Sequence, residues 1–223
     1  MMQQDRSIEK HRMPKILLLE PMYPAKAAWG NVRSLQGYLP PMGAISVYSW
    51  LKNRGYDVEF VDTQFGDFNN AGLKEYLRHK KYDVVGMSVY TPTADYAFET
   101  AKLVKEALPD CVVVMGNIHV TMLPELSMKQ CPSLDFIIRH EGEHAMEEFL
   151  IELAGRRDWS KIMGLVFRRN GNVVINPQRP FIENLDSLPL GIYADLDLKR
   201  YTPHFTQYVK LPSYSVITQR GCP

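Results

Sequence analysis

Short, almost uninterrupted apolar runs alternate with amphipathic stretches along the first two thirds of the chain. KILLLE at 15–20, DVEFVD at 57–62, DVVGMSV at 83–89, the run at 111–115 and DFIIR at 135–139 each read as a strand. Runs that lack in–out alternation belong to strands buried on both faces, the mark of a parallel sheet covered by helices. Between them, 42–53 predicts a helix closed by Gly55, a residue type suited to the left-handed position that follows a helix. Asn69 and Asn70 cap a short helix reaching Lys80. Thr93 or Asp95 caps a further helix, whose apolar face is Ala97, Ala101, Val104 and Leu108, and 144–154 predicts one more. Five such βα units give an α/β domain over 14–156: a doubly wound, five-stranded parallel sheet of flavodoxin-like or Rossmann-like type. Right-handed crossovers bring every strand-to-helix loop to one edge of the sheet, where a ligand is expected.

The pattern changes after Arg157. Segments 165–169 and 172–175 flank Asn170-Gly171, a hairpin signal, and the proline-dotted stretch 177–212 reads as a linker or a strap over another domain. Together, 157–212 is expected as hairpin and linker. A last strand at 214–218 (YSVIT) leads into Gln219-Arg220-Gly221-Cys222-Pro223, so 213–223 reads as the opening of a further domain, cut where the chain stops.

Charge narrows the partners. Lys and Arg number 26 against 25 Asp and Glu, a net charge of +1, which gives no electrostatic case for nucleic acid or a membrane surface. At 45% hydrophobic and 23% charged the chain is an ordinary globular protein and not a disordered one. The longest apolar runs, 16–19 and 112–115, fall far short of the ~20 residues of a membrane helix, and no secretory signal opens the chain. Three cysteines are odd and sparse for a disulfide scaffold, so the cytoplasm is the expected compartment.

The strand-end loops carry the candidate chemistry. The first, with Tyr23, Trp29, Tyr38 and several prolines, either walls a flat apolar pocket or packs on its own domain. The third strand ends in Ser88, Tyr90 and Thr91, of which Ser88 and Thr91 are small hydroxyl residues that leave room for a bulky ligand; helix capping explains Thr93 but not Ser88 and Thr91 as well. The fourth ends in Gly116 and Asn117 followed by His119. A glycine there admits a ligand or another backbone, while His119 taken alone reads more readily as a hydrogen-bonded structural histidine. After the fifth come Glu141, Gly142 and Glu143, of which Glu143 is half explained by the dipole of the helix it opens. Phosphate loops of the G-x-x-x-x-G-K-[ST] and G-x-G-x-x-G kinds are absent from the sequence, as are zinc-type Cys and His pairs. Cys111 reads as a core residue, and Cys131 lies in a loop with no partner in sight.

Taken together these segments resemble the cobalamin (B12)-binding-domain radical S-adenosylmethionine (radical SAM) proteins. The matching pieces are Pro40-Pro41-Met42-Gly43, Arg54-Gly55-Tyr56-Asp57-Val58 into Asp62, and Asp83-Val84-Val85-Gly86-Met87-Ser88. They continue with Met115-Gly116-Asn117-Ile118-His119-Val120-Thr121, Pro124-Glu125, Asp135-Phe136 running to Glu141-Gly142-Glu143, and Thr218-Gln219-Arg220-Gly221-Cys222-Pro223. The resemblance implies a domain that holds cobalamin across the C-terminal edge of its sheet, with Ser88, Tyr90, Thr91, Gly116, Asn117, His119, Glu141 and Gly142 as the pocket residues. It also implies a downstream radical SAM barrel, in whose Cys-x-x-x-Cys-x-x-Cys loop three thiolates hold a [4Fe-4S] cluster that chelates S-adenosylmethionine.

Two departures qualify what is implied. Cys222 matches the first cluster cysteine and the other two positions lie beyond Pro223, so this chain by itself is expected neither to assemble the cluster nor to cleave S-adenosylmethionine. The loop 21–41 has no histidine, unlike methionine-synthase-type B12 domains with Asp-x-His-x-x-Gly, which implies a cofactor held without that ligand; Asn117 also stands where those domains have a second glycine. The function expected is therefore the cobalamin-binding module of a methyltransferase or cyclase of this group. The rivals are a flavodoxin-like interaction or regulatory domain without a cofactor, and a parent enzyme whose domain has become a scaffold without bound cobalamin.

Overall fold

The computed structural model describes residues 12–21, 23, 37–191, 193–211, 213, 215–217 and 219–220. Five parallel strands form the sheet's main part: β1 (Ile16–Glu20), β2 (Val58–Asp62), β3 (Val84–Ser88), β4 (Val112–Gly116) and β5 (Phe136–Ile138). The helices are α1 (Met42–Asn53), α2 (Asn70–Lys80), α3 (Ala94–Ala107), α4 (Ile118–Met122), α5 (Pro124–Gln130) and α6 (Glu143–Ala154). The short pair α4 and α5 has no counterpart in the sequence reading.

Capping residues act as their chemistry dictates. Gly55 takes φ +80° just past α1, and the Asn69 carboxamide accepts the Gly72 N–H at 2.8 Å to open α2. Ala97, Ala101 and Val104 of α3 are fully buried.

Residue parity sorts the core into two layers. Leu17, Leu19, Val85, Met87, Val113 and Met115 pack under α2 and α3. Ile16, Leu18, Val84, Val114 and Ile138 pack under α1 and α6, with Phe149 and Leu150. Burial on both sides is why the strands read as unbroken apolar runs.

The hairpin is not a separate appendage. β6 (Leu165–Arg169) adds antiparallel to β5, and β7 (Asn172–Ile175) adds to β6, so the sheet has seven strands in the order β2-β1-β3-β4-β5-β6-β7. All five expected parallel strands form, and the hairpin expected after them extends the same sheet to seven. The reason is packing: Leu165, Val166 and Phe167 are buried and supply the apolar surface that β5, only three residues long, lacks. Positive φ at Asn170 and Gly171 makes the tight turn between them.

The stretch expected to lie over another domain lies over this one. Of its short 3₁₀ turns (Leu185–Ser187, Tyr193–Asp195, Leu198–Arg200), the second and third are tied down by side chains of the sheet domain. Tyr48 donates to Asp195 at 2.5 Å, Tyr201 donates to Asp62 at 2.8 Å, and Arg200 pairs with Asp67 at 2.7 Å. Prolines and small turns suit such a strap, because its backbone N–H groups are met largely by nearby carbonyls within those turns in place of a ladder. The strand expected at 214–218 is not formed over 215–217; residues 214, 218 and the cluster candidate Cys222 lie outside the described residues, as do Trp29 and Gly30. Among the described residues no helix is long and apolar enough to cross a membrane.

Candidate functional site

Strand order turns back at β1: the chain runs out to β2 and returns to β3, the kind of switch point at which open α/β sheets bind ligands beyond the strands' carboxyl ends. A cleft of about 390 Å³ opens beside it, over the C-terminal ends of β3, β4 and β5 on the α1/α6 side, within the ~300–1,000 Å³ usual for small-molecule sites.

Missing side chains make this cleft. Leu18, Gly86 and Val114 stand abreast in the parallel register, and Ser88 and Gly116 pair in the next row towards the mouth. Gly86 and Gly116 leave space that Leu18, Val47, Val114, Ile138 and Met146 line without filling. A Cβ at Gly86 would come within 2.8 Å of the Leu18 side chain, and one at Gly142 within 3.0 Å of Val47. Glycine interrupting a strand marks close approach, a signal at Gly86 that the sequence carried and that went unused.

Polar groups gather at the mouth. Ser88 Oγ accepts from the Asn117 carboxamide at 2.8 Å, which leaves the hydroxyl proton free to donate into the cleft. The His140 Nε2 is buried with no partner, and burial followed by the Arg139 charge lowers its pKa, favouring the neutral ring. Glu143 is almost fully buried at the start of α6; burial pushes its carboxyl up, but the hydrogen bonds of Arg220 and Ser46 and the Arg220 charge more than offset this, so it lies below the usual carboxylate range. Arg220 reaches Glu143 at 2.5 Å, Glu141 at 3.1 Å and Ser46 at 2.9 Å, bringing the strap's far end to the cleft.

Of the eight residues singled out from the sequence, Ser88, Tyr90, Gly116, Asn117, Glu141 and Gly142 line this cleft together. Thr91 and His119 do not. His119 is buried on the α3 side, its Nδ1 3.3 Å from Thr91 Oγ and its ring against Phe98, because the chain swings into α4 directly after Asn117. Tyr90 is 43% exposed at the rim and does not plug the opening. Sequence reasoning assigned none of Gly86, Ser46 and Arg220 to the site: Gly86 and Arg220 stand in the segments that carry the family resemblance, and Ser46 has no local pattern to mark it.

Asn117 carries backbone strain. Its φ of +81° with ψ of −175° falls in a region that glycine occupies almost alone, at a cost of about 1–3 kcal/mol. Asn117→Ala and Asn117→Gly both remove the carboxamide, so their difference reports the backbone alone. The glycine variant is expected to be the more stable by about 1–2 kcal/mol in urea unfolding.

A second acidic pair sits at the far side of the same sheet edge. Glu20 and Asp62 are register partners, and burial, then the Asp62 charge, pushes the Glu20 carboxyl up to about 8; its Oε2 is buried with no hydrogen-bond partner. Tyr201 and Gln64 hold Asp62, with Arg200 nearby. The unfolded chain releases the Glu20 proton near the ordinary 4.5 while the folded chain keeps it until about 8. This group's contribution is therefore full below the lower value and lost as pH rises through the upper one. Unfolding curves between pH 5 and 9 should show Glu20→Gln losing less stability with rising pH than the parent chain.

Among the described residues no group of three or more His, Cys, Asp or Glu side chains is placed to hold a metal ion. Burial raises the Cys111 thiol to about 12, which keeps it unreactive.

Comparison with known proteins adds independent weight. The model of the B12-binding domain family matches residues 28–150. An uncharacterized methyltransferase of Pyrococcus horikoshii is 32% identical, over 95% of this chain and 44% of its own length. An anaerobic magnesium-protoporphyrin IX monomethyl ester cyclase of Synechocystis is 28% identical over 94% of this chain and 40% of its own. This chain thus spans about two fifths of the relatives it matches. In fold it resembles the radical S-adenosylmethionine methyltransferase TsrM of Kitasatospora setae, solved with cobalamin and a [4Fe-4S] cluster bound, at a TM-score of 0.61 and 18% identity over 78% of this chain and 30% of that one.

Proposed function

The chain belongs to the B12-binding domain family, and from that membership we propose that its cleft holds cobalamin for a larger B12-dependent radical SAM enzyme of methyltransferase or cyclase type. The observation that carries this is the glycine-built cleft at the switch point, where Gly86 and Gly116 leave the space and Ser88, Asn117 and His140 leave polar atoms at its mouth. These residues fit the group. Cobalamin combines a flat corrin with a side arm of phosphate, ribose and an aromatic base, and only that base is narrow and apolar enough for the space beneath the mouth. Leu18, Val47, Val114, Ile138 and Met146 would exclude water from it, while the Ser88 hydroxyl and Asn117 carboxamide would meet polar atoms where the strands end. When bound, the cofactor supplies cobalt chemistry, the carriage of methyl groups and single electrons.

The reading extends to the strap. Arg220 bonds Glu141 and Glu143 at the mouth, which supports reading the segment around it as the link to the cluster loop of the longer enzyme, to which Cys222 is assigned by its sequence. The opening of a further domain at 213–223 is part of the same proposal, with a radical SAM barrel as the downstream partner and S-adenosylmethionine as its co-substrate, while the hairpin within 157–212 counts with the sheet it extends. A cytoplasmic location belongs to it too, supported by the free buried thiols Cys111 and Cys131.

The direct test is to mix the purified chain with hydroxocobalamin and follow corrin absorbance on gel filtration. Corrin that elutes with the protein is the expected result; protein that elutes colourless overturns the proposal.

A further inference from the structure

Resting on the cobalamin reading above, we infer that the cleft selects among cobamides by the base at the end of the side arm, accepting benzimidazole and phenol bases and discriminating against purines. The vertical distribution of polar atoms carries this. Among the described residues, every polar side chain on the cleft wall belongs to the mouth: Ser88 at the end of β3, Tyr90 beyond it, Asn117 after β4, and His140 with the Glu141, Glu143 and Arg220 cluster after β5. Below them the wall is Leu18, Gly86 and Val114 from one row of the sheet, Ile138 above, and Val47 and Met146 from the covering helices.

The backbone gives no help at that depth. β1, β3 and β4 each have a hydrogen-bonded neighbour on both sides, so their N–H and C=O groups are consumed in the ladder. Among the described residues, an aromatic base pushed past the mouth meets only hydrocarbon and methionine thioether.

Dimethylbenzimidazole presents methyl groups and C–H edges to such a wall and loses little in leaving water. A phenol base attached through its oxygen presents the same kind of surface. Adenine carries further ring nitrogens and an exocyclic amine, each of which would surrender its water with no replacement partner. An apolar site without matching partners rejects a polar near-isostere by roughly 10- to 100-fold, and that is the discrimination expected here.

The experiment titrates the whole chain with hydroxocobalamin, its adenine-based counterpart and p-cresolylcobamide, with retained corrin measured by absorbance after ultrafiltration. Comparable binding of cobalamin and the cresol form, with the adenine form about 10- to 100-fold weaker, is the expected pattern. Equal affinity for all three, or weak binding of the cresol form alone, overturns the selectivity and leaves the cobalamin reading standing. Failure of all three to bind overturns both.

Discussion

Gly116→Val is expected to weaken hydroxocobalamin binding by about 100-fold while leaving the chain folded. Gly116 ends β4 beside Ser88, and its backbone has no positive φ that a side chain would strain. A Cβ there makes ordinary contact, 3.4 Å from the Ile138 carbonyl oxygen, and valine is a natural strand residue, so the sheet accepts it. Its two methyl groups, however, stand in the entrance to the cleft. Overfilling a formed cavity costs about 1–3 kcal/mol, which here falls on the complex and not on the free protein. Matched titrations, with circular dichroism and a melting curve for each protein, check both halves of the statement. Undiminished affinity in a folded variant would place the ligand elsewhere.

Phe149→Ala should produce the largest loss of stability among single core changes, about 3–5 kcal/mol. The ring is fully buried on α6 and sits in an aromatic cluster, with its centroid 4.8 Å from Phe136 and 5.4 Å from Trp159. That cluster joins the short β5 to the helix whose first turn holds Glu143 and to the connection that leads into the hairpin. Since domains of this kind are stable by only about 5–15 kcal/mol, the variant should unfold at much lower urea, with the cleft's outer wall loosened in step. Phe149→Leu, which keeps most of the volume, is expected to lose less than half as much. Urea midpoints for the two variants measure the difference.

How much of this was legible beforehand depends on the range of the interaction involved. Helix α1 was read over its full extent because Met42–Asn53 carries its own stop signal in Gly55, and the hairpin because Asn170-Gly171 determines its turn. Strand-end residues such as Ser88 and Gly116 were found because a parallel sheet sends every such end to one edge. The limits appear where direction, not position, decides. In strands buried on both faces, no polar alternation reveals which residues share a side, so Gly86 went unassigned beneath Ser88. His119, only three residues past Gly116, turned out to belong to the opposite layer. Arg220 meets Glu143 across 77 positions of chain, a distance over which no periodicity operates. The hairpin's place in the sheet was missed for a similar reason: its sequence specifies the turn and says nothing of what β6 will pair with.

Because the hollow at the switch point stays open through two absent side chains, one codon change at Gly116, or at Gly86 with a shift of the Leu18 side chain, is enough to close it while the topology stays the same. Descendants of this scaffold can therefore shed their vitamin while remaining indistinguishable in topology from those that retain it. Any survey that sorts such domains into loaded and vacant lineages should be scored on the occupants of these two positions, since overall shape will not separate them.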